Sequence, residues 1–285
     1  MRLYKTRRIN RGISGSIVAV TFLVLTGIVM VIPFIFAINS AFKPIEELYR
    51  FPPRMFVLNP TFNNFRNFFN LLGETNMSFF RYVFNTVLLT VVGTFGQIVL
   101  SSLCAYSLSK IPFPGANIVF KIIVTSLMIS TPVTAVQQYI IFAKLDLIDT
   151  YIGMFIPYLT TTMGLYLMKQ FMENTIPNEL LEAARIDGAG ELSIFFRVVM
   201  PLLKPAWMTL AILSIQTLWN APSSNTYSEE FKTLSQALTN IISGGIQQTG
   251  VSGAISIIMM FVPIIFFIIA QSNIIDTMST SGMKG

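Results

Sequence analysis

Of the 285 residues in this chain, 53% are hydrophobic and only 11% charged, against roughly 25% charge in an ordinary soluble domain, so a water-soluble globular protein is excluded and the chain belongs in a bilayer. Histidine is absent and Cys104 is the single cysteine, which leaves metal clusters, disulfide frameworks and Cys–His catalysis without partners. The net charge of +6 forms no aromatic-interleaved basic patch, so no nucleic-acid partner is expected and the charge is read as a topology signal.

Residues 1–16 carry Arg2, Lys5, Arg7, Arg8 and Arg11, which hold the N-terminus in the cytoplasm. The apolar run 17–41 is too long for a signal-peptide core and lacks a small-residue cleavage site, so it is the first transmembrane span. An external loop, 42–80, contains Pro44, Pro52, Pro53 and Pro60. The second span runs from Tyr82 to Leu108. An inside turn with Pro112, Phe113, Pro114 and Gly115 leads to a third span, 118–142, broken near its middle by Pro132. Irregular backbone at that depth is tolerated where it is buried in protein or lines a cavity, which makes this span a candidate pathway helix. An outside turn at 144–150 precedes the fourth span, 151–168, and a polar segment, 169–205. The fifth span is 206–219 and an outside loop rich in Ser, Asn, Thr and Gln covers 220–250. The sixth span, 254–270, is followed by a cytoplasmic tail, 272–285. The expected fold is an all-α integral membrane protein with six transmembrane helices of about 20 residues. The larger share of the 19 Lys and Arg residues falls in the segments assigned to the inside, as the positive-inside rule requires.

The polar segment reads as helix, tight turn, helix. Pro177 suits a first helical position, and Glu179 and Glu182 suit the positive end of the helix dipole. Gly188 can adopt the left-handed conformation that ends a helix, and a second helix runs from Glu191 to Val199 before Pro201 stops it. Ala183 and Ala184 leave one side of the first helix nearly bare, a shape for docking against another protein. No stretch fits the phosphate-cradling pattern G-x-x-x-x-G-K-[ST]. The spans also lack the mid-membrane carboxylates or histidines of an ion-coupled carrier; Lys121 lies near a span end. The chain is therefore not expected to be an enzyme, and energy must come from a partner chain.

Glu182-Ala183-Ala184, Asp187-Gly188-Ala189, Phe195, Val198, Pro201 and Pro205, with the spacing from Glu through Gly to Pro, resemble the EAA loop of membrane subunits of binding-protein-dependent ABC importers. The resemblance implies a permease core over 81–271 in which 169–205 is the cytoplasmic coupling loop. Its first helix would sit in a groove of a separate ATPase, with Glu182, Ala183, Ala184, Asp187 and Gly188 carrying the coupling. It further implies a second related permease subunit, two ATPase subunits that bind ATP and magnesium while this chain holds no cofactor, and an extracytoplasmic solute-binding protein. Asn59-Pro60-Thr61-Phe62 with Asn63-Asn64-Phe65, Phe84-Asn85-Thr86 and Ala105-Tyr106-Ser107-Leu108-Ser109-Lys110 are similar to sugar-type members. Gln271 and Gly282-Met283-Lys284-Gly285 resemble the maltose-permease branch. The intervening Asp276 to Ser281 departs from simple maltose permeases and looks more like importers of complex oligosaccharides. The expected function is thus half of a membrane pathway for an oligosaccharide in a bacterial cell membrane. The alternatives are an ABC permease for a non-sugar solute and a stand-alone facilitator or secondary carrier.

Uncharged polar residues inside the spans are the candidate pathway groups. Asn85, Gln97, Gln137 and Gln138 could meet sugar hydroxyls, and Tyr106, Tyr139 and Trp219 could stack on a sugar face. Thr90, Thr94, Ser101, Ser102 and Gln216 share the setting. The alternative use of such residues is hydrogen bonding between helices. Gly93, Gly96 and Gly153 read as close-packing positions.

Overall fold

The computed structural model describes residues 13–48, 50, 52, 54–73, 77–129, 131–223, 226–243 and 249–281. The basic residues at 2–11 and the closing 282–285 lie outside the described residues. Regular structure among the described residues is entirely helical: α1 (Ile13–Phe42), α2 (Ile45–Leu48), α3 (Asn63–Gly73), α4 (Phe79–Lys110), α5 (Ala116–Thr125), α6 (Thr131–Lys144), α7 (Tyr151–Phe155), α8 (Thr162–Thr175), α9 (Asn178–Ile186), α10 (Glu191–Ile194), α11 (Met200–Leu202), α12 (Lys204–Trp219), α13 (Leu234–Ile242) and α14 (Thr249–Ser281). Two compact units are formed, one from Met1–Phe68 and Gly245–Ile257, the other from Phe69–Gly244 and Ile258–Gly285.

The first unit is organised on the C-terminal end of α1. Asn64 is buried and its amide donates to the carbonyls of Ala41 at 2.9 Å and Lys43 at 2.8 Å. The beginning of α14 approaches the same turn closely: a Cβ on Gly253 would lie 2.8 Å from the Ala41 nitrogen, so glycine is what permits the contact. The rings of Phe42, Phe62 and Phe65 cluster there. Glu47 accepts the backbone N–H groups of Leu58 and Asn59, which ties these two residues to α2. By contrast α1 leaves Val18, Phe22, Leu23 and Val29 exposed, as a helix surrounded by lipid or by another apolar chain requires.

In the second unit α4 packs against α8 and α12. Its buried face consists largely of small and polar residues, among them Asn85, Thr86, Thr90, Gly93, Thr94, Gln97, Ser101 and Ser102. Val87, Val91 and Phe95 point outward. That inversion of soluble-protein amphipathicity is what a bilayer demands, because helices there associate through close packing and hydrogen bonds. A Cβ on Gly93 would meet Leu218 at 2.7 Å and one on Gly96 would meet Leu159 at 2.5 Å, so both glycines hold the close-packing role read from the sequence. Gly153 does so more stringently, since its Cβ would fall 1.9 Å from the Leu147 carbonyl oxygen.

Three helices are long and apolar enough to cross a membrane, Ile17–Phe42, Phe79–Lys110 and Gly250–Ile268, and two bent pairs raise the number to five if each is one span. The expected fourth span is divided instead: a 3₁₀ turn at Ile156–Tyr158 separates α7 from α8. Pro157 cannot continue the hydrogen-bond ladder, and Thr161 is extended at φ −142° and ψ 126° before α8 begins. The third span is bent by 109° between Ala116–Met128 and Val133–Lys144. Pro132 is the second residue of α6, where its missing N–H is tolerated, so the break precedes it. Pro201 does not stop the second polar helix. The chain widens into a π-turn over Phe195–Val199 and continues through α11, because a residue without an N–H relaxes the i→i−4 ladder ahead of it. A bend of 80° then separates Glu191–Leu202 from α12. Residues 272–281, read as tail, are the last turns of α14.

Candidate functional site

The polar segment between α8 and α12 carries the most complete geometry for meeting another molecule. Pro177 caps α9 with φ −67° and ψ 144°, one position before the helical residue expected of it. At the other end Gly188 has φ +80°. The Gly188 N–H bonds the Arg185 carbonyl and the Ala189 N–H bonds the Ala184 carbonyl, both at 3.0 Å. Those two bonds are the Schellman pattern with Gly188 in the left-handed position, so the turn chemistry read from the sequence is realised.

Beneath the turn lies an apolar cluster. Leu181 of α9 is 1% exposed and joins Ile194, Phe195, Val199 and Leu203 to Met168, Met172 and Ile176, to Ala105 and Tyr106 of α4, and to Ala206 and Leu210 of α12. The loop therefore shares one core with the ends of three helices. Directional bonds reinforce it. The Lys110 ammonium donates to the Ile176 carbonyl at 2.6 Å and to Asn178 Oδ1 at 3.1 Å. Arg185 Nε donates to Glu191 Oε1 at 2.7 Å, and the Tyr106 hydroxyl donates to Glu191 Oε2 at 2.6 Å. The hydrogen bond to Glu191 raises the Arg185 pKa above its already high ordinary value, so the guanidinium stays charged.

The opposite side of the loop is open. Glu182, Ala183, Asp187 and Gly188 are exposed and Ala184 is half-buried. Ile186 is 86% and Leu192 68% exposed, an apolar pair beside the turn. A cleft of about 330 Å³ runs between Glu182 and Arg185 of α9 and Lys110 to Phe113 at the end of α4. Of the five residues expected to couple, Glu182, Ala183, Asp187 and Gly188 thus lie on the exposed side of the helix and turn, whereas Ala184, expected to share a bare side with Ala183, packs against the cluster because it follows Leu181 by three positions.

The expected pathway residues separate into two groups. Asn85 is fully buried and donates to the carbonyls of Glu230 and Lys232 at 2.8 and 3.0 Å. Gln97 donates to the Tyr158 carbonyl at 2.9 Å and accepts from Ser214. Trp219 is 5% exposed and its indole N–H bonds the Met259 carbonyl. All three are engaged between segments of the protein. On α6, Gln137 and Tyr139 are exposed and Gln138 is half-buried; Tyr139 stands edge-on to Tyr227 at 6.0 Å. Tyr106, read as a stacking residue, spends its hydroxyl on Glu191. That Glu191 accepts from both Tyr106 and Arg185 escaped the sequence reading, since Tyr106 is 85 positions away and only the Gly188 turn brings Arg185 alongside.

The sequence matches the family described as "Binding-protein-dependent transport system inner membrane component" over residues 63–279. The chain belongs to this family. It is a permease subunit of an ABC importer. Its relatives include the arabinooligosaccharides transport system permease protein of Bacillus subtilis (strain 168), 28% identical over 93% of this chain and 94% of that protein. The polygalacturonan/rhamnogalacturonan transport system permease protein of the same organism is 31% identical over 70% of this chain and 67% of that protein. The sn-glycerol-3-phosphate transport system permease protein of Yersinia enterocolitica is 34% identical over 52% of this chain and 53% of that protein. A crystal structure of a bacterial ABC transporter involved in alginate import shares the fold, with a TM-score of 0.73, 23% identity, and coverage of 92% of this chain and 98% of that chain.

Proposed function

We propose that this permease subunit forms half of the membrane pathway for an oligosaccharide, and that α9 with the Gly188 turn is the coupling element docked in a groove of an ATPase subunit. The observation that carries the reading is the exposed α9 surface backed by a core shared with the ends of α4, α8 and α12. A push on such a surface bears on three helices at once. In this reading the chain spans the inner membrane six times, with α7 and α8 as one interrupted span and both termini in the cytoplasm. Residues 169–205 face the cytoplasm, and the segment between α1 and α3 meets an extracytoplasmic binding protein. A second related permease completes the pathway, and two ATPase subunits bind ATP and magnesium. ATP closes the ATPase pair, α9 moves with its groove, and the spans exchange one packing for another that opens outward; hydrolysis restores the first. The names of the two Bacillus relatives support a plant-polysaccharide fragment as solute.

The test is reconstitution of this chain with the second permease, ATPase and binding protein in proteoliposomes, followed by uptake of labelled arabino-oligosaccharide and oligogalacturonide. Uptake that needs both ATP and the binding protein is expected. Uptake persisting without ATP would instead identify a stand-alone carrier. The sn-glycerol-3-phosphate relative supports a second reading, a phosphorylated polyol as solute, which inclusion of that compound in the same assay decides.

A further inference from the structure

α9 is fastened to α4 at both of its ends. At the first, Asn178 accepts from Lys110; at the second, Arg185 and Tyr106 meet on the two oxygens of Glu191. Tyr106 and Lys110 are four residues apart, hence neighbours on one face of α4. Between these ends Leu181 and Ala184 make apolar contact with the cluster, and apolar contact is non-directional, so it permits sliding. Bonds to a charged group hold a geometry. The Arg185–Glu191 pair is 35% and 46% exposed, a setting in which an ion pair adds little to fold stability. Tyr106 is 3% exposed, and its hydroxyl loses a charged acceptor whenever Glu191 moves away.

We infer that Glu191 is a positioning residue, the junction through which a displacement of α9 is delivered to α4, with Arg185 and Tyr106 as its two anchors. This rests on α9 being the coupling element, and it adds the link from that element to α4. Glu191 occupies the first position of α10, immediately after the turn. A movement of the turn therefore moves the carboxylate, and the carboxylate pulls on the last turns of α4. Without the junction α9 can follow the ATPase while α4 lags.

The experiment uses the complete complex of two permeases, ATPases and binding protein in proteoliposomes, comparing the unaltered chain with Tyr106→Phe, Glu191→Gln and the double variant. Two quantities are read: ATPase subunits retained on purification, and solute moved per ATP hydrolysed. Retention is expected to be unchanged, because the Tyr106 hydroxyl and the Glu191 carboxylate are bonded to each other. The transport ratio is expected to fall about tenfold in each single variant, the loss of one hydrogen bond to a charged group. No further fall is expected in the double, since both changes break one junction. Unchanged ratios in both singles overturn the inference, as do losses that multiply in the double. Loss of ATPase subunits from the Glu191→Gln complex overturns it too, by making Glu191 a docking residue. If Glu191→Gln lowers the unfolding temperature, Tyr106→Phe decides alone, since it removes a single oxygen. An unaltered complex that retains no ATPase refutes the docking of α9 itself, a result distinct from any of these.

Discussion

Replacing Gly188 by valine isolates the contribution of one backbone conformation. Gly188 has φ +80° and a Cβ there meets nothing within 4 Å, so the substitution adds strain without a collision. Left-handed geometry costs an L-residue about 1–2 kcal/mol, and a β-branched side chain sits at the upper end. Since about 1.4 kcal/mol is a factor of ten, the closed turn is depopulated about tenfold or more, and the bonds from Gly188 and Ala189 back to Arg185 and Ala184 open with it. In proteoliposomes containing the whole transporter, Gly188→Val should therefore lower solute moved per ATP by about tenfold while membrane insertion persists, and Gly188→Asn, which tolerates this geometry, should keep most of the ratio. Gly115 provides a matched control, with φ +92° and equally open surroundings. Gly115→Val carries the same strain at the start of α5, outside the turn between α9 and α10. A Gly188→Val protein that transports normally, or a Gly115→Val protein that loses coupling to the same degree, would refute the reasoning.

Truncating Leu181 to alanine should lower the stability of the docking loop by about 2–5 kcal/mol, the range for a buried leucine, visible as faster limited proteolysis between α8 and α12. Gly153→Ala places a methyl group 1.9 Å from the Leu147 carbonyl oxygen and should sharply reduce the yield of folded protein in detergent, whereas Gly190→Ala, with nothing within 4 Å, should leave it unchanged. Gln97→Leu removes the partner of the Tyr158 carbonyl and of the Ser214 hydroxyl. It should cost about 1–3 kcal/mol, read as a lower unfolding temperature. Solute affinity unchanged in that variant identifies Gln97 as a helix-packing residue, and a weakened affinity identifies it as a pathway residue.

The polar helix–turn–helix was the most legible part of the chain, because its geometry is local. Pro177, Gly188 and the intervening helix formers act through neighbours within six positions, and the observed caps follow from them. The interrupted fourth span was less legible: its apolar content satisfies a length rule, while Pro157 and the threonines after it act on the backbone and leave hydropathy nearly untouched. The π-turn ahead of Pro201 escaped for a related reason. A proline inside a helix has two outcomes, stop or widened turn, and the packing of Phe195 and Val199 into the cluster favours the second here. Among the polar residues of the spans, composition left a pathway role open for Asn85, Gln97 and Trp219 beside the commoner packing role; the structure supplies each with a protein partner.

Hydropathy, charge placement and turn chemistry are properties of short windows, and the sequence alone therefore determined that this chain lies in a membrane and where its polar helix–turn–helix falls. Which face of α4 turns inward, and that Glu191 gathers Arg185 and Tyr106, depend on atoms brought together from positions far apart. Those contacts exist only after α4, α8 and α12 have packed, because an isolated helix carries no record of which of its polar groups will find a partner.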